Sequence, residues 1–474
     1  MKLSIIAAFA VLLPAIQAGR TYEYKHLDYD YAFDEDMDEP RSLIMMIPDG
    51  TGPNVFALAR TVLDPTLKTR LHIDPLLMGQ VQTHSSTSYV TDSASSATAY
   101  STGFKTYDRA IGVDHFQQPL GTILEAAKKR GMVTGMVVTS RVTHATPASF
   151  ASHVVERDDE DTIAKQYVAN KNFDFLLGGG GRHFTDAMLA EMQAANYTLV
   201  KNYGELIQYK AANEASGNLR LMGIFHKSHM SYELDRAREQ AAAGDKPDRE
   251  PSLPEMVETV LAILKNNPVA KKNGFFMLVE GSRVDHAAHS NDPGTMAREA
   301  ISFDESVGVV RDYIENNKNV GLVSCADHGT GGLTLGLGGV YEWRPHDLLK
   351  QKMSTEWMFN QLTPVLKACT DSALCKTQLF TMSKDLLKTH TNEKTMENGD
   401  DAMAEAQLAL LYKLGVLTQD AGEEQRESEN DVHAFLNRML PPPPYGFEAS
   451  SSFMKLIAKD ERGQSDDIFF SGKL

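Results

Sequence analysis

Asp49, Glu280 and Asp327 each close a short apolar run. Residues 43–47 lead into Asp49, 275–279 into Glu280 and 320–323 into Asp327, with His328 next. In an open parallel sheet the C-terminal strand ends share one rim, and ligands bind there. A single acid at such a position often does no more than begin a loop or cap a helix. Three on one rim would repel one another and lose hydration, and a divalent metal is the simplest positive partner. Asp285 and His289 extend the set. Their spacing of four puts both on one face of a helix, which suits a zinc ion, although a lone histidine is more often only a satisfied side chain. Aspartate with imidazole favours zinc and all-oxygen ligation favours magnesium, and this inventory can build both.

Residues 90–103 are dense in small hydroxyl side chains around Asp92 and Ser93. The structural interpretation is a helix start with Asp92 or Ser93 at the cap. The chemical one uses the same geometry, since a serine at a helix N-terminus faces free amides and the positive dipole end, where a phosphoryl group is favoured. Serine is a poor nucleophile at neutral pH, and no Gly-x-Ser-x-Gly elbow suggests histidine activation. A zinc ion at its oxygen would lower its pKa. The glycines at 178–181 lack the Gly-Lys-Ser/Thr ending of a nucleotide loop, so they read as a structural turn.

The elements that must position these groups follow from periodicity. Residues 43–47, 133–138, 173–177, 275–279 and 320–323 read as buried strands, and 122–129, 254–265 and 298–314 as helices. Such alternation predicts an α/β fold with a mostly parallel central sheet flanked by helices on both faces. Residues 236–250 read as a charged surface insertion, and the chain beyond 348 as mainly helical until prolines 441–444. Residues 1–18 have the charged start, apolar run and small-residue end of a signal peptide, which predicts a secreted or extracytoplasmic protein; a signal anchor or a vacuolar location is the alternative. Residues 19–41 read as an acidic arm or pro-segment, 42–440 as the catalytic domain and 441–474 as a loose tail.

The chain has 474 residues, 42% of them hydrophobic and 23% charged, as expected of a globular protein. A net charge of −16 argues against non-specific nucleic-acid binding. It also means that an anionic substrate needs a locally positive site, supplied by arginine or metal. No segment after the first eighteen residues is a candidate membrane span. Three cysteines are too few for a disulfide scaffold. Cys369 and Cys375 could pair, and Cys325 reads as a buried thiol. Asn196 begins a glycosylation sequon.

Several segments together resemble the alkaline phosphatases, most closely the eukaryotic, fungal-type members. Asp92-Ser93-Ala94-Ser95-Ser96-Ala97-Thr98 is similar to that family's nucleophile signature, and Ile47-Pro48-Asp49-Gly50-Thr51-Gly52-Pro53 to its first metal-binding strand end. Residues 143–148 and 152–157 resemble its magnesium-threonine and phosphate-arginine segments, and 280–289 and 326–328 complete the order. The resemblance implies a phosphomonoesterase of broad specificity, acting on small-molecule phosphomonoesters through a phosphoserine, with two zinc ions, one magnesium and a homodimeric assembly. It assigns Asp285 and His289 to the first zinc, and Asp49, Asp327 and His328 to the second, which activates Ser93. Magnesium falls to Asp49, Thr146 and Glu280, and Arg157 grips the phosphate. His144 and His286 match positions that tune the third metal and the surroundings of the phosphate. A related phosphodiesterase or sulfatase fits less well, since no Cys- or Ser-x-Pro-x-Arg nucleophile is present.

The sequence departs from the family at one point. The first zinc takes a third ligand from a Gly-His-Thr/Ser block near the C-terminus, whereas here no histidine follows a glycine, His390 and His433 included. The expected consequence is a weaker first zinc and slow hydrolysis of the phosphoserine. A catalytically impaired secreted metal- or phosphate-binding protein is therefore the alternative reading.

Overall fold

Seven strands form one parallel sheet, in the order β4-β5-β3-β2-β6-β1-β7. They are β1 (Ser42–Pro48), β2 (Val133–Arg141), β3 (Phe175–Gly179), β4 (Thr198–Val200), β5 (Leu221–Ile224), β6 (Phe275–Gly281) and β7 (Val320–Ser324). The computed structural model describes residues 42–361 apart from 245, 318, 336–344 and 359. The expected signal peptide, acidic arm and C-terminal tail lie outside the described residues, as do Cys369, Cys375, His390 and His433.

The central strands are apolar on both sides because both sides are covered. Ile44, Met46, Val137, Met277 and Val279 face one core, built with Met256, Val260, Phe303 and Val307 from the helices Leu253–Leu264 and Pro293–Glu315. Met45, Ile47, Met136, Val138 and Leu278 face the other, with Ala94, Ala97, Leu124 and Ala148 from the helices Ser93–Thr102, Ile123–Lys129 and Ala145–Ala151. Alternate residues of each strand supply the two layers, as the pleat requires. The α/β arrangement expected from the sequence is thus observed.

Helix starts are fixed locally. Thr122 with Glu125 and Ser252 with Glu255 form capping boxes, and Pro254 occupies the first turn of its helix. β4 and β5, of three and four residues, are too short to show a period in the sequence. Residues 236–250 are only partly the insertion expected. Their first half belongs to the helix Glu233–Ala243, whose alanines favour helix and whose Arg236 is mostly buried and paired to Glu233 at 2.6 Å. The glycines at 178–181 do form a turn. A Cβ on Gly179 would stand 2.1 Å from the Ser228 carbonyl oxygen, so the two backbones approach only because it is glycine.

Candidate metal centre and nucleophile

Adjacent strands β6, β1 and β7 deliver the three acids to one rim. Ile47 is in register with Glu280, and Met46 with Ser324, three residues before Asp327. Asp49, Glu280 and Asp327 are completely buried. One ligand atom from each of Asp49, Asp327 and His328 lies within 4.8 Å of the others. Asp49 Oδ2, Glu280 Oε1, Asp327 Oδ2 and Thr146 Oγ1 are buried without a hydrogen-bond partner among the described residues. Burial, then repulsion from Asp327, Asp285 and Glu280, pushes the Asp49 carboxyl well above its ordinary range. Burial likewise moves Glu280 up to about 7, with Asp327 adding to the rise and Ser282, Thr146 and Asp49 opposing it. Buried acid oxygens that lack donors are costly unless a cation meets them, so this donor set fits divalent metal.

Asp285 enters the same cluster from the short helix Arg283–His289. The closeness depends on Gly50, at φ +66°, where a Cβ would fall 2.7 Å from Asp285 Oδ1 and 2.8 Å from its Cα. The Gly50 N–H also donates to Asp327 Oδ1 at 3.0 Å, joining β1 to the end of β7. His289 Nε2 stands 3.4 Å from Asp285 Oδ1, as the spacing of four predicts. Burial alone would raise Asp285, but His289, His328 and His286 outweigh it and hold the carboxyl near 2.

Ser93 is the first residue of its helix, after the N-cap Asp92, whose carboxylate accepts from Ser95 N–H at 3.0 Å. Its Oγ lies 3.1 Å from His328 Nε2 and 3.5 Å from Asp49 Oδ1, against the metal-type cluster. Asp92 also holds Arg157, whose Nη1 donates to Oδ2 at 2.9 Å. Burial would raise Asp92, yet Arg157 and the amides of Ser95 and Arg109 keep it below its ordinary value. The other arm of Arg157, Nη2, donates to His144 Nε2 at 3.1 Å. Thr146 follows in the helix Ala145–Ala151, and His286 lies with its ring centroid 5.3 Å from that of His144. Every site residue expected from the sequence thus joins one connected region. Cys325 is a free thiol, half-buried rather than fully buried.

Three contributors escaped the sequence analysis. Ser282 Oγ donates to Glu280 Oε2 at 2.6 Å. Thr330 Oγ1 donates to Asp285 Oδ1 at 2.7 Å and meets His328 Nδ1 at 3.0 Å. With its own proton on Asp285, Thr330 accepts from Nδ1–H and so leaves the lone pair of Nε2 facing Ser93, Asp49 and Asp327. Its place two residues after His328 was the available signal. His229 is on the loop after β5, and nothing in its sequence surroundings marks it.

A family model described as alkaline phosphatase matches residues 40–409. Among curated relatives, alkaline phosphatase of Schizosaccharomyces pombe is 38% identical over 68% of this chain and 62% of its own. Repressible alkaline phosphatase of Saccharomyces cerevisiae is 36% identical over 68% and 61%. The chain therefore spans about three fifths of the length of these curated relatives. Among solved structures, Thermus thermophilus alkaline phosphatase superposes with a TM-score of 0.66 at 28% identity, covering 85% of this chain and 80% of that one. A cold-active alkaline phosphatase from Shewanella sp. gives 0.63 at 29% identity, over 80% and 87%. With sequence, sheet and rim in agreement, the chain belongs to the alkaline phosphatase family.

Proposed function

We propose that this protein is a metal-dependent phosphomonoesterase that works through a phosphoserine at Ser93. The observation that carries the proposal is the Ser93 hydroxyl set 3.1 Å from His328 Nε2, against buried acid oxygens without donors. Two zinc ions, one with Asp285 and His289 and one with Asp49, Asp327 and His328, and a magnesium with Asp49, Thr146 and Glu280, would supply charge that lowers the pKa of the serine and neutralises phosphoryl oxygens.

The chain's own residues account for the rest. Phosphoryl transfer is mostly positioning and electrostatics. The helix beginning at Ser93 directs its first amides toward a bound phosphate. Asp92 and His144 take two of the five guanidinium N–H groups of Arg157, leaving a planar fork already oriented for phosphate oxygens. Ser93 Oγ forms the new P–O bond as the ester P–O bond breaks and the alcohol leaves with a proton. Water then attacks phosphorus, releasing phosphate and returning the proton to Ser93. Secretion, on the signal-peptide pattern of residues 1–18, and homodimer formation, on the family resemblance, belong to the same proposal; light scattering of the purified protein checks the second.

The test is hydrolysis of an aryl phosphate at alkaline pH with zinc and magnesium supplied. Ser93→Ala should lower kcat by at least ~10³-fold, and Arg157→Ala should lower kcat/KM by ~10²–10³-fold. A Ser93→Ala protein turning over at the native rate would end the proposal. The impaired reading rests on the sequence, in which no histidine follows a glycine. It predicts that intact-mass measurement after substrate addition finds phosphoserine accumulating while alcohol release stalls.

A further inference from the structure

Asn196-Tyr197-Thr198 is the only Asn-x-Ser/Thr sequence in the chain, and the phosphatase chemistry leaves it without a role. It follows the helix Asp186–Ala194, which closes with a left-handed turn at Asn196, φ +67°. The Asn196 N–H donates to the Gln193 carbonyl at 2.9 Å, and the Tyr197 N–H to that of Met192 at 3.1 Å. This paired pattern satisfies the last carbonyls of a helix, and asparagine enters its left-handed position with little strain. Tyr197 then packs back toward Met192, in the same core layer.

The three residues divide into an anchor and two free groups. Tyr197 is 3% exposed. Its ring meets Phe173 edge-on, the Arg220 guanidinium lies 5.0 Å from the ring centre, and its hydroxyl donates to the Phe173 carbonyl oxygen. Thr198 opens β4, with its N–H donating to the Arg220 carbonyl at 2.8 Å. While Tyr197 points into the core, Asn196 and Thr198 on either side of it are exposed. As a helix cap Asn196 uses only its backbone. Among the described residues no hydrogen bond engages its carboxamide or the Thr198 hydroxyl.

We propose that Asn196 carries an N-linked oligosaccharide, displayed on the rim of the sheet opposite the metal centre. Transfer joins Asn196 Nδ2 to the anomeric carbon of the first sugar. The bond from that carbon to the diphosphate of a lipid-linked oligosaccharide breaks, and the amide gives up one proton. The donor faces the lumen of the secretory pathway, so the proposal rests on the secretion reading. All seven strands are parallel, hence their starts share one rim and their ends the other. Asp49, Glu280 and Asp327 stand at strand ends, whereas Asn196 precedes the start of β4. The strands β5, β3, β2 and β6 lie between β4 and β1. Five spacings of about 4.8 Å put roughly 24 Å between those two strands. The fold therefore bears the glycan without burying it and without crowding Ser93.

Translation of the full chain with endoplasmic-reticulum microsomes, followed by protease treatment, is the test. The protease-protected chain should show a single glycan-sized mass increment. Peptide-N-glycosidase should remove it and leave Asp in place of Asn196, read from the mass of that peptide. Asn196→Gly suits the left-handed turn and Thr198→Val suits the strand, so both should fold and both should lose the increment. Thr198→Ser should keep it. A protected chain without the increment, or an increment that survives Thr198→Val, would overturn the proposal and leave secretion standing. A protease-accessible chain would sink the secretion reading, and modification of the natural protein with it. In purified glycoprotein supplied with zinc and magnesium, aryl phosphate turnover should be the same before and after glycan removal. A change would overturn the placement away from the metal centre, whereas no turnover in either form sinks the phosphatase reading alone.

Discussion

At Thr330 a single hydroxyl ties together two of the proposed metal ligands, Asp285 and His328. It donates to Asp285 and accepts from His328, thereby selecting the imidazole tautomer that can bind a cation. Thr330→Val keeps the shape and removes both bonds. Zinc affinity, measured by competition with a chromogenic chelator, should fall ~10–100-fold while the melting curve of the metal-free protein changes little. Native zinc affinity in this variant would remove Thr330 from the argument. The clustering of Asp49, Glu280 and Asp327 was legible in the sequence because an acid ending an apolar run is a local pattern. Thr330, Ser282 and His229 were not, because each acts on a residue brought near by the fold rather than on its own element.

The strand–helix junction at Gly50 shows how elements set the distances. β1 turns at φ +66° and lets Asp285 approach to within what a Cβ would occupy. Gly50→Ala therefore strains the backbone and separates Asp49 from Asp285. The expected loss is ~1–3 kcal/mol in urea denaturation, accompanied by weaker zinc binding; an alanine variant as stable and as zinc-avid as the native protein would show that the approach is not required. Long apolar strands flanked by turns, β1, β2 and β6, could be read directly. β4 and β5 could not, and the helix Glu233–Ala243 was hidden by a charged composition that looked like surface loop.

Across the whole molecule, acids held in their neutral form make one contribution to the response to pH. Burial raises Glu299 from 4.5 to about 8, against the Glu233 amide and Arg283, while Glu280 rises to about 7. Folded values above unfolded ones mean that these groups favour folding most below the ordinary carboxyl range. That contribution is lost as pH climbs through 7 and 8. Burial also holds His144, His229 and His286 below their ordinary value, and these rings act in the opposite sense, costing stability at acid pH where the unfolded chain protonates them. Glu299→Gln, remote from the metal ligands, should melt a few degrees above the native protein at pH 9 and near it at pH 5, whereas an unchanged gap would refute the assignment. The position of β7 has a consequence for biosynthesis. It is the seventh of the seven described strands along the chain and lies at an end of the sheet, and Val323 on it is half exposed. Ser93 precedes His328 by 235 residues. A chain still emerging from the ribosome therefore presents the proposed nucleophile long before the groups proposed to activate it, so that on this reading reactivity arrives only with completion of the fold.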